Sequence, residues 1–197
     1  METSHMIAQK TAPPFLNRKN VIWFAKVLIP CTLAILINLF CIKIVFVNGN
    51  SMFPTINDKD VLVINQLGCS YTQGDIIVIN CKEKEIRDNY IVKRIIAAQG
   101  QHIEIDYSSN SVYIDGEKIF EDYINYNQLD PLEAVDEKEN ISCDVPVGYV
   151  FVMGDNRNMS LDSRNEQIGL VAISDIIGNV ITHIPTSKIF RFWGSSV

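Results

Sequence analysis

Tyr90-Ile-Val-Lys-Arg-Ile-Ile96 is a short run of mostly β-branched residues with two adjacent cations at its centre. The same texture repeats on both sides of it. Asp60-Val-Leu-Val-Ile-Asn65, Asp75-Ile-Ile-Val-Ile-Asn80, His102-Ile-Glu-Ile-Asp106, Ser111-Val-Tyr-Ile114, Tyr149-Val-Phe-Val-Met153 and Ile176-Ile-Gly-Asn-Val-Ile181 are all short and rich in Val and Ile, the composition of strands. Turn formers separate them at Gly68, Gly74, Gly100, Asn110, Asp115-Gly116 and Pro146–Gly148. Asp115-Gly116, set between Tyr113-Ile114 and Lys118-Ile119, reads as a tight hairpin. Many short strands without helical spacers predict a mainly β fold: an antiparallel sheet system, folded on itself or closed as a barrel.

Upstream the texture changes. Within residues 21–47 the only charges are Lys26 and Lys43, and the 16 residues between them carry none. With its flanks this segment is long enough for a bilayer core, which takes about 20 residues. Its two lysines can reach opposite interfaces, and Pro30 marks a kink. A buried core helix and a cleaved secretory signal are the alternatives, but the apolar run is long and no Ala-x-Ala cleavage pattern follows it. The expected organisation is a tail over 1–20, a transmembrane signal anchor over 21–47 and a β domain over 48–197. Lys10, Arg18 and Lys19 precede the anchor, so the tail is expected to stay cytoplasmic and the domain to lie outside.

Charge is divided along the same line. Lys10, Arg18, Lys19, Lys26 and Lys43 stand against Glu2 in residues 1–47, whereas residues 48–197 hold 12 basic and 22 acidic side chains. An acidic domain of this kind argues against nucleic acid as a partner. Residues 121–144 are the most acidic stretch, with Glu121, Asp122, Asp130, Glu133, Asp136, Glu137, Glu139 and Asp144 facing Lys138 alone. They read as a solvated insertion, with one helical turn near Pro131-Leu-Glu-Ala. Cys31 and Cys41 lie in the anchor, and Cys69, Cys81 and Cys143 lie beyond it. Their spacing fits no zinc site; thiols are expected, with a Cys69–Cys81 disulfide as the alternative.

Ser51, in Asn50-Ser-Met-Phe-Pro-Thr55, falls where the anchor ends and water begins. A serine hydroxyl needs a neighbouring base before it becomes a nucleophile. The histidines are poorly placed for that: His5 precedes the membrane, and His102 and His183 sit in ordinary strand contexts. A lysine can serve if burial lowers its pKa from about 10.4 towards roughly 7–8. Alternation along Tyr90–Ala98 puts Ile91, Lys93, Ile95 and Ala97 on one face, where the amine would be desolvated. The pattern equally allows an edge-strand lysine with its amine in water. Arg94 stays protonated, so it is expected in an ion pair that supports the fold.

Ser-Met-x-Pro-Thr just after an anchor, Lys-Arg on a strand some forty residues later, and Gly154-Asp-Asn-Arg-x-x-Ser-x-Asp-Ser-Arg164 together resemble the bacterial type I signal peptidases. These are membrane-bound serine proteases with a Ser–Lys dyad, and the resemblance runs from the anchor to about Gly178. It implies Ser51 as nucleophile, Lys93 as general base and Ser160 as the hydroxyl that orients the lysine amine. Asp155, Asp162 and Arg164 would hold the last motif in place through an Asp–Arg ion pair, while Met52, Pro54 and Thr55 shape the nucleophile turn. Two positions depart from common relatives. Gly49 stands where some carry an oxyanion-stabilising serine, which leaves the Ser51 N–H as the donor that can be named, and Ala97 stands where glycine is common.

The resemblance further implies that an extended peptide binds as an added strand beside Val47–Ser51, including Asn50, and beside Tyr90–Lys93, including Ile91. Small side chains would be taken at the first and third positions before the cut (−1 and −3), with Val45, Phe46, Ile91 and Ile95 as pocket or membrane-contacting residues. No metal or cofactor is implied. The expected partners are preproteins, membrane lipid and the secretion machinery; the expected activity is removal of leader peptides outside the plasma membrane. The alternative is a client-dedicated or non-catalytic relative that assists assembly of surface pili. A soluble self-cleaving Ser–Lys regulator fits less well, since the chain shows no DNA-binding module.

Overall fold

The computed structural model describes residues 18–67, 70–81, 90–124 and 140–188, with the backbone alone given at 37–40. The chain divides into two compact units, residues 1–40 and 41–197. In the first, helix α1 (Arg18–Cys41) runs for 24 residues, or about 36 Å at the usual rise. Arg18–Leu36 is long and apolar enough to cross a membrane. Pro30 lies inside the helix. The Thr32 hydroxyl donates to the Leu28 carbonyl at 2.8 Å, which satisfies that polar group within the helix itself.

The second unit is built from antiparallel strands. A seven-stranded sheet is ordered β1-β2-β11-β3-β4-β9-β10, formed by Ile42–Phe46, Val61–Asn65, Ile176–Ile184, Ile76–Asn80, Tyr90–Ala97, Tyr149–Met153 and Val171–Ala172. A four-stranded sheet is ordered β7-β6-β5-β8, formed by Glu117–Lys118, Ser111–Ile114, His102–Asp106 and Ile141–Asp144. The mainly β, antiparallel expectation therefore holds, in the form of a curled open sheet with a smaller companion. The seven predicted runs are β2, β3, β4, β5, β6, β9 and β11, and Asp115-Gly116 forms the β6–β7 hairpin.

The apolar run at 21–47 is divided rather than continuous. Its last part, Ile42–Phe46, leaves the helix and pairs with β2 from Ile42↔Asn65 to Phe46↔Val61. The physical reason is local: Ile42, Ile44 and Val45 are β-branched, and β2 offers an open backbone edge. The acidic insertion is corrected at its start as well. Glu121 is buried, paired with a buried arginine rather than solvated. The helical turn expected near Pro131 and the partner cysteine Cys69 lie outside the described residues.

Three apolar clusters organise the domain. One lies under β3, β4 and β9, with Ile77, Ile79, Ile95, Val150 and Val152. A second joins the two sheets, packing Ile96, Ala97, Phe151 and Met153 against Ile103, Ile105, Val112 and Ile114. Ala97, where common relatives have glycine, is fully buried in this cluster. The third, Val47, Met52, Ile56, Leu62, Ile64 and Val78, sits beneath the Ser51 turn. Met52 and Ile56 flank that turn and are essentially inaccessible to water, so it is pinned to the core rather than left as a free loop.

Candidate active site

Lys93 lies where β4 pairs with β3, opposite Ile77, one residue before β9 joins the other side of the strand at Arg94. Its side chain is 3% exposed, which decides between the two sequence readings in favour of a desolvated amine. Burial pulls its pKa from 10.5 down to about 8, against the opposing pull of the Asp162 carboxylate. The amine nitrogen and the Ser51 hydroxyl oxygen are hydrogen-bonded at 2.8 Å, although 42 residues separate them in sequence. His102 is engaged elsewhere, with Asp144 at 2.7 Å on the four-stranded sheet, and His183 is half-buried on β11.

Around this pair the 154–164 segment is anchored by charge. Arg94, next to Lys93, forms a bidentate pair with Asp155, Nε to Oδ1 at 2.9 Å and Nη2 to Oδ2 at 2.6 Å. Thr55 donates its hydroxyl to the same carboxylate at 2.5 Å, so Asp155 ties β4 to the Ser51 turn. Arg164 grips Asp162 through Nε at 2.8 Å and Nη2 at 2.9 Å. Burial alone would raise the Asp162 carboxyl; the Arg164 hydrogen bond and charge, helped by the Gly154 N–H, outweigh burial and hold it below its ordinary value. Both ion pairs expected from the sequence are thus present. Pro54 follows a cis peptide bond within the Ser51 turn.

Gly154 explains why this segment begins with glycine. A β-carbon there would collide with the Ser51 carbonyl oxygen and the Ser160 hydroxyl, so only a bare backbone lets the two motifs touch. Two further bonds fasten the contact: the Asn156 N–H donates to the Ser51 carbonyl at 3.0 Å, and the Asn156 side-chain amide donates to the Asn50 carbonyl at 3.0 Å. Gly49 has a different reason for being glycine. Its φ is +103°, with open space where a β-carbon would project, and its N–H donates to Asp58 at 2.8 Å.

A cleft of 520 Å³ opens at Ser51 and Lys93. One wall is Val45–Met52, including Val47, Gly49 and Asn50; the other is Tyr90–Lys93, including Ile91; Val78, Met159 and Leu161 complete it. β9 pairs only with the second half of β4, from Arg94 onwards, so Tyr90–Lys93 presents a strand edge to this cleft. Ile95 does not line it but is buried in the core.

The family model for signal peptidase, peptidase S26, matches residues 20–184. The chain belongs to that family. It is 36% identical over 165 residues to a signal peptidase I of Bacillus amyloliquefaciens, covering 79% of this chain and 80% of the relative. It is 35% identical over 188 residues to signal peptidase I T of Bacillus subtilis strain 168, covering 90% and 91%. A crystal structure of a signal peptidase I from Enterococcus faecalis aligns with a TM-score of 0.46 and 26% identity over 58% of this chain and 98% of that one. As an S26 peptidase the protein is a serine endopeptidase.

Seen as an S26 peptidase, the chain holds residues near the site that sequence reading did not single out. Ser160 was expected to orient the lysine amine. Its hydroxyl is buried but makes no hydrogen bond among the described residues; it lies near enough to Asp162 to favour the carboxylate without hydrogen-bond geometry. Glu121, Tyr123 and Arg157 were not assigned to the site. Yet the Tyr123 ring lies 4.0 Å from the Arg94 guanidinium carbon, and Arg157 is a buried neighbour of Gly154. The signal in the sequence was the place of Arg157 within the Gly154–Arg164 motif; Glu121 was hidden in an acidic run.

Proposed function

We propose that this S26 peptidase removes leader peptides from exported preproteins through an acyl-enzyme on Ser51, with Lys93 as general base. The observation that carries this reading is the 2.8 Å contact between Lys93 Nζ and Ser51 Oγ inside a buried environment. Neutral Lys93 accepts the hydroxyl proton as Oγ attacks the scissile carbonyl carbon. The proton then passes to the departing amine, and water, deprotonated by the same lysine, releases the acyl group. The Ser51 N–H has no acceptor among the described residues, which leaves it for the developing oxyanion. Asp155, Asp162, Arg164, Met52, Pro54 and Gly49 hold this geometry, with Ser160 beside it.

Substrate is held as an extended strand between Val47–Asn50 and the free edge of Tyr90–Ile91, a mode in which main-chain bonds give affinity and pockets give specificity. The small side chains of the −1 and −3 residues are taken up in the part of the cleft beside Ser51. Helix α1 anchors the protein once in the plasma membrane, with Lys10, Arg18 and Lys19 cytoplasmic and the β domain outside, facing lipid and the secretion machinery. A non-catalytic pilus-assembly role is disfavoured by the intact Ser51–Lys93 contact.

The test uses purified wild type, Ser51→Ala and Lys93→Ala with a preprotein whose leader ends in Ala-x-Ala. Wild type is expected to yield the mature chain and both variants to lose more than about 99% of the rate. Cleavage by both variants at the wild-type rate would overturn the assignment.

A further inference from the structure

The segment 121–124 leads away from the four-stranded sheet, yet two of its side chains are turned into the catalytic half of the domain. Glu121 is 5% exposed and Arg157 is 8% exposed. The Glu121 carboxylate takes both terminal nitrogens of Arg157, Nη1 to Oε2 at 3.0 Å and Nη2 to Oε1. The Tyr123 hydroxyl donates to Oε1 at 2.7 Å, and the Tyr123 ring covers Arg94. A buried ion pair is poor value for stability alone, because an apolar pair of similar volume often serves as well. What this pair supplies is direction.

Arg157 Nε donates to the Gly154 carbonyl at 3.2 Å, and its own carbonyl accepts from Arg164 Nη2 at 2.7 Å. Between Gly154 and Arg157 lies Asn156, whose backbone and side-chain amides hold the carbonyls of Ser51 and Asn50. The 154–157 turn is therefore gripped from behind by Glu121 and itself grips the nucleophile's backbone. We propose that Glu121, acting through Arg157, is a positioning residue for acyl transfer: it locks this turn so that Ser51 stays within hydrogen-bonding distance of Lys93. The proposal rests on the Ser51–Lys93 reading.

Removing the carboxylate leaves Arg157 as an uncompensated buried cation, free to compete for Asp162, whose charge it already feels. The turn then shifts, and a misplacement of about 1 Å at a reacting group can cost roughly 100-fold in rate. Because neither residue lines the cleft, substrate affinity is spared.

The experiment measures kcat and KM separately for the full chain in detergent, on a peptide ending its leader in Ala-x-Ala. Glu121→Gln, Arg157→Lys and the double variant E121M/R157M are compared with wild type well below each unfolding temperature. The double variant keeps a well-packed apolar pair, so it remains folded where a single variant fails. Expected is a fall in kcat of about tenfold or more in every folded variant, the double included, with KM within about threefold. A purely structural pair would leave the double variant at wild-type kcat. That result, or a loss carried by KM, overturns the proposal. Ser51→Ala runs alongside: cleavage by that variant sinks the dyad reading itself, whereas an inert Ser51→Ala beside a fully active E121M/R157M sinks only the role of Glu121.

Discussion

Removing an ammonium from water costs free energy, and at Lys93 this cost outweighs the attraction of Asp162 and Asp155, leaving a pKa of about 8. The sign for catalysis follows directly. Below that value the amine is protonated and cannot accept the Ser51 hydrogen; as pH rises through it, the neutral base accumulates. kcat/KM is expected to climb about tenfold per pH unit and level off with a midpoint near 8. A pH–rate profile already flat from about pH 6 would show that another group is the base. Strand alternation alone left Lys93 open between a buried amine and one in water, and the motif resemblance chose between them. The contacts Thr55–Asp155 and Arg94–Asp155 join residues 100 and 61 positions apart. No local pattern encodes such pairings, and only the motif resemblance pointed near them. Glu121 was illegible for the same reason, since its partner lies 36 residues further on and its neighbours are acidic like any solvated run.

At the scale of elements, short runs of Val and Ile announced seven strands and the Asp115-Gly116 turn announced β7, while β1, β8 and β10 escaped notice. β10 has two residues, too few to show a period. β8 reads Ile-Ser-Cys-Asp at the end of an acidic stretch, and β1 is apolar apart from Lys43, so composition merged it with the helix before it. The division at Ile42 matters for function because it makes the anchor's end a wall of the cleft. The opposing wall is the half of β4 that β9 leaves unpaired. An added peptide strand must bond to that edge through its own backbone. Methylating single backbone nitrogens of a substrate peptide at the positions two to four before the cut tests this. At least one such methyl is expected to raise KM about tenfold or more while leaving kcat within about threefold. Unchanged KM across the series would rule out strand addition at this edge.

For the whole molecule, the charge divide noticed in the sequence coincides with a physical one. Residues 41–197 contain all three apolar clusters and both members of the Ser51–Lys93 contact. The described side chains of α1 are exposed or half-buried. On the proposed function, α1 is expected to concentrate enzyme and substrate on one surface rather than to complete the fold. A chain beginning at Cys41 is expected to fold and to cleave a soluble Ala-x-Ala peptide with kcat within about threefold of the full chain. It will also need detergent. Ile44 and Phe46 on the edge strand β1 are 61% and 75% exposed, and an apolar edge without cover invites self-association. Against preproteins in vesicles the two chains should diverge, because only the anchored one shares the substrate's surface; the shortened chain should lose about tenfold or more in rate. Circular dichroism and the two assays together decide the matter. A shortened chain that folds but is inert on the soluble peptide would mean that the helix shapes the active site, and the separation of roles argued here would be wrong.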